Sequence, residues 1–353
     1  MRRGRAILVS ACLLAAGALA TGCGSDSTTT SSSAPPENHP APSKSEFPST
    51  QGRTLADIVN LSDGPSELVV SPAAQAFYQG ENRYPFGVFE RDRSQVSDAK
   101  VALYFAKVPP QKKTSNPESG KGAAAQALED ALNGPAVGPF PAAVETLTTQ
   151  PAFRAKTTSD DPDAASVVYN TEINFPRDGE WRIAALIKQG DEMTASLLPS
   201  AVVGEFKRIP RVGEKAPLIH TPTPEDVGGD LSKITTRIPP DTQNHVDYAD
   251  AFGREPIVLL FATPQFCQSR VCGPVVDVAE QVKQLYGDKA AFIHMEIYKD
   301  NDPNKGPRPQ VEAFHLPGEP WLFVIDRNGV IRAEIEGAFG IDLLTKAVKE
   351  VTG

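Results

Sequence analysis

Residues 256–274 read Pro-Ile-Val-Leu-Leu-Phe-Ala-Thr-Pro-Gln-Phe-Cys-Gln-Ser-Arg-Val-Cys-Gly-Pro, and three signals follow one another in that stretch. Residues 256–262 form a continuous apolar run with the length of a buried strand. A loop carrying Cys267 and Cys272 comes next. Beyond it Val275, Val278, Ala279, Val282, Leu285 and Tyr286 fall on one face of a helix. A thiol pair therefore sits between a buried strand and a helix N-terminus. Backbone N–H groups and the helix dipole favour a thiolate there.

The pattern continues in both directions. Residues 290–297 read as a second buried strand, and 321–325 and 330–335 flank the turn Asp326-Arg327-Asn328-Gly329, a hairpin signal. Leu344, Ala347, Val348 and Val351 give a closing amphipathic helix, so the order is β, α, β, short α, β, β, α. Val212-Gly213-Glu214-Lys215-Ala216-Pro217 resembles the opening sequence of the peroxiredoxin and thioredoxin-like superfamily. The element order over 212–353 resembles a thioredoxin fold, which predicts an α/β thioredoxin-like domain at 207–353.

That resemblance assigns expectations to single residues. Cys272-Gly273-Pro274 matches the first three positions of the thioredoxin Cys-Gly-Pro-Cys motif, with Val275 where the second cysteine would stand. Cys267 is then the remaining partner. On this register Cys272 opens the helix as the candidate low-pKa thiol; the reverse assignment stays open, because the first cysteine of a redox pair is often the exposed one. Gly318-Glu319-Pro320-Trp321 matches the place where thioredoxin-fold proteins carry a cis-proline facing the cysteines. Pro320, Phe266 and Trp321 are expected to shape the substrate face.

Upstream, 53–206 reads as an all-β module with alternation at 66–70, 99–106, 167–175, 181–188 and 192–198. Between these strands, 110–146 is rich in Gly, Ala and Pro and reads as a long loop with one short helix near 123–132. The run Phe175-Pro176-Arg177-Asp178-Gly179-Glu180-Trp181 resembles the hairpin of small immunoglobulin-like sandwiches in exported bacterial proteins, some linked to copper handling. The expected architecture is an N-terminal all-β immunoglobulin-like sandwich followed by the thioredoxin-like domain.

The first 22 residues read as an export signal, with Arg2, Arg3 and Arg5 ahead of an apolar stretch too short to span a bilayer comfortably. Ala20-Thr21-Gly22-Cys23 resembles the lipobox of bacterial lipoproteins, which would make Cys23 the lipidated residue and anchor the chain at the extracytoplasmic face of the cell membrane. Residues 23–52 are dominated by Ser, Thr and Pro and read as a disordered tether. A tether of that length would hold the folded part on the order of 30 Å from its anchor. Without the three signal arginines the formal charge of −9 becomes −12, with no basic cluster, which argues against nucleic-acid binding.

Four readings of the cysteine pair follow. Thiol–disulfide oxidoreduction on exported protein thiols or disulfides fits the position in the fold, with no cofactor. A thiol peroxidase would use a similar pair, but the Pro-x-x-x-Thr-x-x-Cys context is absent and Pro320 occupies the place of the peroxiredoxin arginine. A copper site of the Sco type would need two soft thiolates and a histidine such as His315, and Sco-type spacing is the tighter Cys-x-x-x-Cys. A scaffold lipoprotein would use the pair as a bracing disulfide, worth on the order of 2 kcal/mol. His294, inside the second buried strand, reads as a satisfied core residue.

Overall fold

The computed structural model describes residues 36–110, 117–267 and 269–353. In the N-terminal half α1 (Leu55–Val59), β1 (Gly64–Pro65), β2 (Val69–Pro72), β3 (Gly80–Phe89), β4 (Lys100–Lys107), α2 (Pro117–Leu132), β5 (Val137–Pro141), β6 (Ala143–Thr146), α3 (Lys156–Ser159), β7 (Val167–Phe175), β8 (Gly179–Gln189) and β9 (Glu192–Val203) follow in order. The strands form two sheets, β1-β9-β8-β4-β5 and β2-β3-β7-β6. Strand alternation directs Tyr84, Phe86, Tyr169 and Phe175 from one sheet and Leu103, Phe105, Ile183 and Leu198 from the other into a shared core. Trp181 lies in that core against Phe175.

Sequence periodicity missed β3, β5 and β6, along with the two-residue β1. Pro85 and two glycines interrupt β3, which nevertheless pairs with both β2 and β7. The Pro85 carbonyl accepts from Ala73 N, just past Pro72 at the end of β2, so the missing proline N–H faces a neighbour that has already left the ladder. Strands β5 and β6 occupy the part of 110–146 read as loop; both are short, and prolines flank or bound them.

The expected tether at 23–52 must be corrected for its described part. Phe47 is 5% exposed and packs with Leu55, Ile58 and Tyr104 on the outer face of the five-stranded sheet. The Tyr104 hydroxyl donates to Pro48 O, and His39 exchanges two backbone bonds with Val144. Composition pointed to a solvated segment, but one buried aromatic and a few backbone bonds suffice to dock it. The export signal and Cys23 lie outside the described residues. Among the described residues no helix is long and apolar enough to cross a membrane.

The C-terminal half contains α4 (Tyr248–Ala251), β10 (Ile257–Phe261), α5 (Cys272–Tyr286), β11 (Ala291–Met295), α6 (Pro309–Ala313), β12 (Trp321–Ile325), β13 (Ile331–Glu336) and α7 (Ile341–Thr352). Its sheet order is β11-β10-β12-β13, with β10 parallel to β11 and antiparallel to β12. Helices α5 and α7 cover one face through Val275, Val278, Val282, Leu344 and Val348. Phe314, Tyr248 and Ile219 cover the other. The β-α-β-α-β-β-α order with this strand arrangement is the thioredoxin-like fold. In the connection before β10, Thr235, Thr236, Asp241, Gln243 and Asn244 form a buried polar layer beside β11.

The two halves pack as one body. Arg83 from β3 donates to Glu336 O and Ala338 O, while the Glu336 carboxylate accepts from Gln75 N and Ala76 N. On α5, Asp277 accepts from Arg237 Nε and from Ala155 N.

Candidate functional site

Cys267 and Cys272 are joined by a disulfide, with Cα atoms 5.9 Å apart. Strand β10 ends at Phe261, the loop carries Cys267, and α5 starts on Cys272 itself. The α5 N-cap, Val271, supplies no capping side chain. The Cys272 N–H instead donates to Cys267 Sγ at 3.3 Å, so sulfur satisfies one of the helix's orphan donors. Cys267 Sγ also lies 3.3 Å from the Ser269 hydroxyl.

The two sulfurs differ in access. Cys272 is 0% exposed and belongs to the core beneath α5, whereas Cys267 is partly exposed. The helix N-terminus and a hydroxyl thus favour negative charge on the sulfur that an incoming group can reach. This geometry favours the reverse of the primary sequence assignment: Cys267 has the features of the attacking thiol and Cys272 those of the resolving one.

Glu319 completes the site, and sequence reasoning gave it no role. Its Oε2 accepts from Thr263 N at 2.6 Å and lies 3.5 Å from Cys272 Sγ. Burial raises its pKa to about 8, against the Thr263 N–H, which lowers it. The contact arises because β12 pairs with β10, so the residue two before Trp321 returns to the cysteine loop across a separation of 47 positions. No local spacing rule reveals such a contact; only the expected thioredoxin-like pairing of these strands could have.

The other expected site residues separate into two groups. The Glu319–Pro320 bond is cis, as expected, and Pro320 is buried beside the site. Phe266 is 36% exposed at the loop surface, with its ring edge-on to Tyr298. Trp321 does not shape a substrate face. It is 2% exposed and stacks on Phe323 in the core on the opposite side of the sheet from α5. The cause is strand alternation: Leu322 and Val324 face α5, so Trp321 and Phe323 face away.

Histidines do not join the pair. His315 is exposed, with Nε2 3.1 Å from Arg208. His294 is buried, its ring nitrogens 2.9 Å from Asp241 Oδ2 and from Ala262 O. Burial alone would depress its pKa, but the Asp241 charge and hydrogen bond, the Glu296 charge and the Ala262 carbonyl together raise it to about 9. Among the described residues, the group able to hold a metal ion is Cys267, Cys272 and Glu319.

The cysteine loop is held from the N-terminal half. Arg270 has a left-handed φ of 63°, its side chain pairs with Asp163 at 3.1 Å, and its carbonyl accepts from Ala165 N. A cavity of about 290 Å³ opens beside this turn, lined by Val69, Pro72, Phe86, Phe89, Val168 and Ser269 among others. Its wall therefore includes the residue whose hydroxyl contacts Cys267 Sγ.

No protein family matches the chain, and no curated protein matches it. Solved structures resemble part of it. A candidate thiol:disulfide interchange protein DsbE from Chlorobium tepidum is 18% identical over 41% of this chain and 99% of that one, with a TM-score of 0.30. A thioredoxin-family thiol:disulfide interchange protein from Chlorobium tepidum TLS is 18% identical over 40% and 98%, with a TM-score of 0.29. A candidate protein disulfide isomerase from Bacteroides thetaiotaomicron is 16% identical over 41% and 91%, with a TM-score of 0.27. The strand order β11-β10-β12-β13, with α5 following β10 and α7 closing the chain order, gives the C-terminal half of this chain a thioredoxin-like fold.

Proposed function

We propose that this protein is an extracytoplasmic, membrane-anchored thiol–disulfide oxidoreductase acting on exported protein thiols or disulfides. The observation that carries the reading is the asymmetry of the pair: an accessible Cys267 sulfur receives the first N–H of α5, and its partner is buried against a carboxylate. In the reducing direction the Cys267 thiolate attacks one sulfur of a substrate disulfide. The substrate S–S bond breaks, a mixed disulfide forms and one substrate thiolate leaves. Cys272 then gives its proton to Glu319 Oε2 and attacks Cys267 Sγ, which releases the second substrate thiolate. The substrate gains two electrons and the protein ends as the disulfide; the reverse sequence oxidises a dithiol.

The cavity beside Ser269 supports a polypeptide substrate, because an apolar side chain next to the reacting sulfur could lodge there. The sandwich is read as immunoglobulin-like. The order β2-β3-β7-β6 supports this by following an A-B-E-D arrangement, and β9-β8-β4 follows G-F-C. A lipid at Cys23 would hold the body at the membrane, and metabolic labelling with a fatty acid, lost on Cys23→Ala, tests that part.

Two measurements test the activity. A Cys272→Ser variant should accumulate mixed disulfides with exported proteins, while Cys267→Ser should not. The reduction potential should fall between about −120 and −270 mV, among exchange catalysts; a value below about −300 mV marks a bracing disulfide and overturns the reading.

A further inference from the structure

We propose that the reduced protein binds one Zn²⁺ ion through Cys267 Sγ, Cys272 Sγ and the Glu319 carboxylate, so that the redox state of the pair gates a metal site. The proposal needs the pair to be reducible but does not depend on the exchange reaction.

The three donor atoms lie within 4.8 Å of one another. A tetrahedral Zn²⁺ with sulfur at about 2.3 Å and oxygen at about 2.0–2.2 Å places these ligand atoms roughly 3.5–3.8 Å apart, so modest side-chain adjustment closes the set. The polypeptide already fixes two of the three. Cys272 is locked at the first turn of α5 in the core, and Glu319 is held by the Thr263 N–H and the buried Pro320 that follows it. Cys267, on the loop, is the adjustable ligand.

Charge argues in the same direction. Reduction places two thiols beside a carboxyl group in a largely buried site, and the nearby His294 imidazolium is already paired with Asp241. A divalent cation neutralises what the protein does not. With two thiolates and one carboxylate the assembly carries a single negative charge, at the N-terminus of α5, where the helix dipole favours it.

The donor set selects the metal. Thiolates disfavour Mg²⁺ and Ca²⁺, whereas Zn²⁺ accepts sulfur and oxygen together. Cu(I) is satisfied by the soft thiolates alone and gains little from a carboxylate. Dependence on Glu319 therefore separates zinc from copper. Three protein ligands leave a fourth position for water or another ligand.

The test uses the full chain, reduced and freed of reductant under argon, and titrated with Zn²⁺ against a chromophoric chelator. One zinc per chain should bind in the reduced protein, with none in the oxidised protein or in the Cys267→Ser/Cys272→Ser double variant, which controls for Cys12 and Cys23. Glu319→Gln should weaken Zn²⁺ by at least about tenfold while leaving Cu(I) affinity, read by bathocuproine competition, unchanged. Glu319→Asp, with circular dichroism matching the wild type, should retain part of the zinc affinity. Absence of zinc binding in the reduced wild type, or equal affinity in Glu319→Gln, overturns the proposal. Disulfide reductase activity in metal-free buffer is read separately, so loss of the exchange reading would leave the zinc result standing.

Discussion

At the scale of single residues, the cysteine loop and the polar layer behind it are built from opposite materials. Cys267 and Cys272 could be singled out in the sequence because a thiol pair between an apolar strand and a helix is rare and carries its own position. Glu319 could not, because its meaning depends on which strand β12 pairs with. His294 reads as a core residue in the sequence and is one, but its partner Asp241 lies 53 positions earlier, outside any periodic element. Their pairing has a consequence for pH. The folded His294 value of about 9 lies above its ordinary 6.5, so the pair contributes fully below about pH 6.5 and loses that contribution as pH rises through about 9. Thermal melts should show stability falling across that window. His294→Gln should be less stable at pH 6 and should flatten the decline; an unchanged slope in the variant would exclude His294 as its source.

Among elements, α5 and its leading loop form the informative unit. The helix starts without a side-chain cap, and the turn before it contains a left-handed arginine, a conformation that costs a non-glycine residue about 1–2 kcal/mol. That turn is maintained by the Ala165 N–H bond to Arg270 O and by the ion pair with Asp163. The pair is partly exposed, so Asp163→Ala should cost no more than about 1 kcal/mol of global stability. Its local effect should be larger: hydrogen exchange at the Arg270–Cys272 amides should accelerate well beyond that of the β10 amides. Equal acceleration everywhere would mean the ion pair supports the whole body rather than the loop. The helical face of α5 was readable from spacing, whereas β3 was not, since a proline and two glycines conceal a strand whose pairing partner ends where the proline begins.

For the whole molecule, the thioredoxin-like fold of the C-terminal half could be read from sequence, but not how closely that half joins the strands before it. The joining groups lie far apart along the chain: Leu147, Ala165 and Val168 share the apolar core beneath α5, Arg83 donates to the Glu336 and Ala338 carbonyls, and the Glu336 carboxylate accepts from the Gln75 and Ala76 amides. Burial raises the Glu336 pKa to about 7, against those two N–H donors, which lower it. Because the folded value exceeds the ordinary 4.5, the contribution of this group is complete below pH 4.5 and is lost as pH rises through about 7. Glu336→Gln should therefore gain stability relative to wild type between pH 5 and pH 8, followed by the difference in melting temperature. A difference that stays constant over that range would place the carboxylate in a more polar setting than this interface provides.

The left-handed turn at Arg270 has a further consequence for how variation would act on this chain. The shape of the reactive loop is partly written at Asp163 and Ala165, about a hundred positions earlier and in the other half of the body. Drift at those two positions would retune sulfur reactivity while every residue around the cysteines stayed the same. A C-terminal half grafted elsewhere would inherit the thiols without the grip that shapes them, so the sandwich is the vice in which this reactive loop is set.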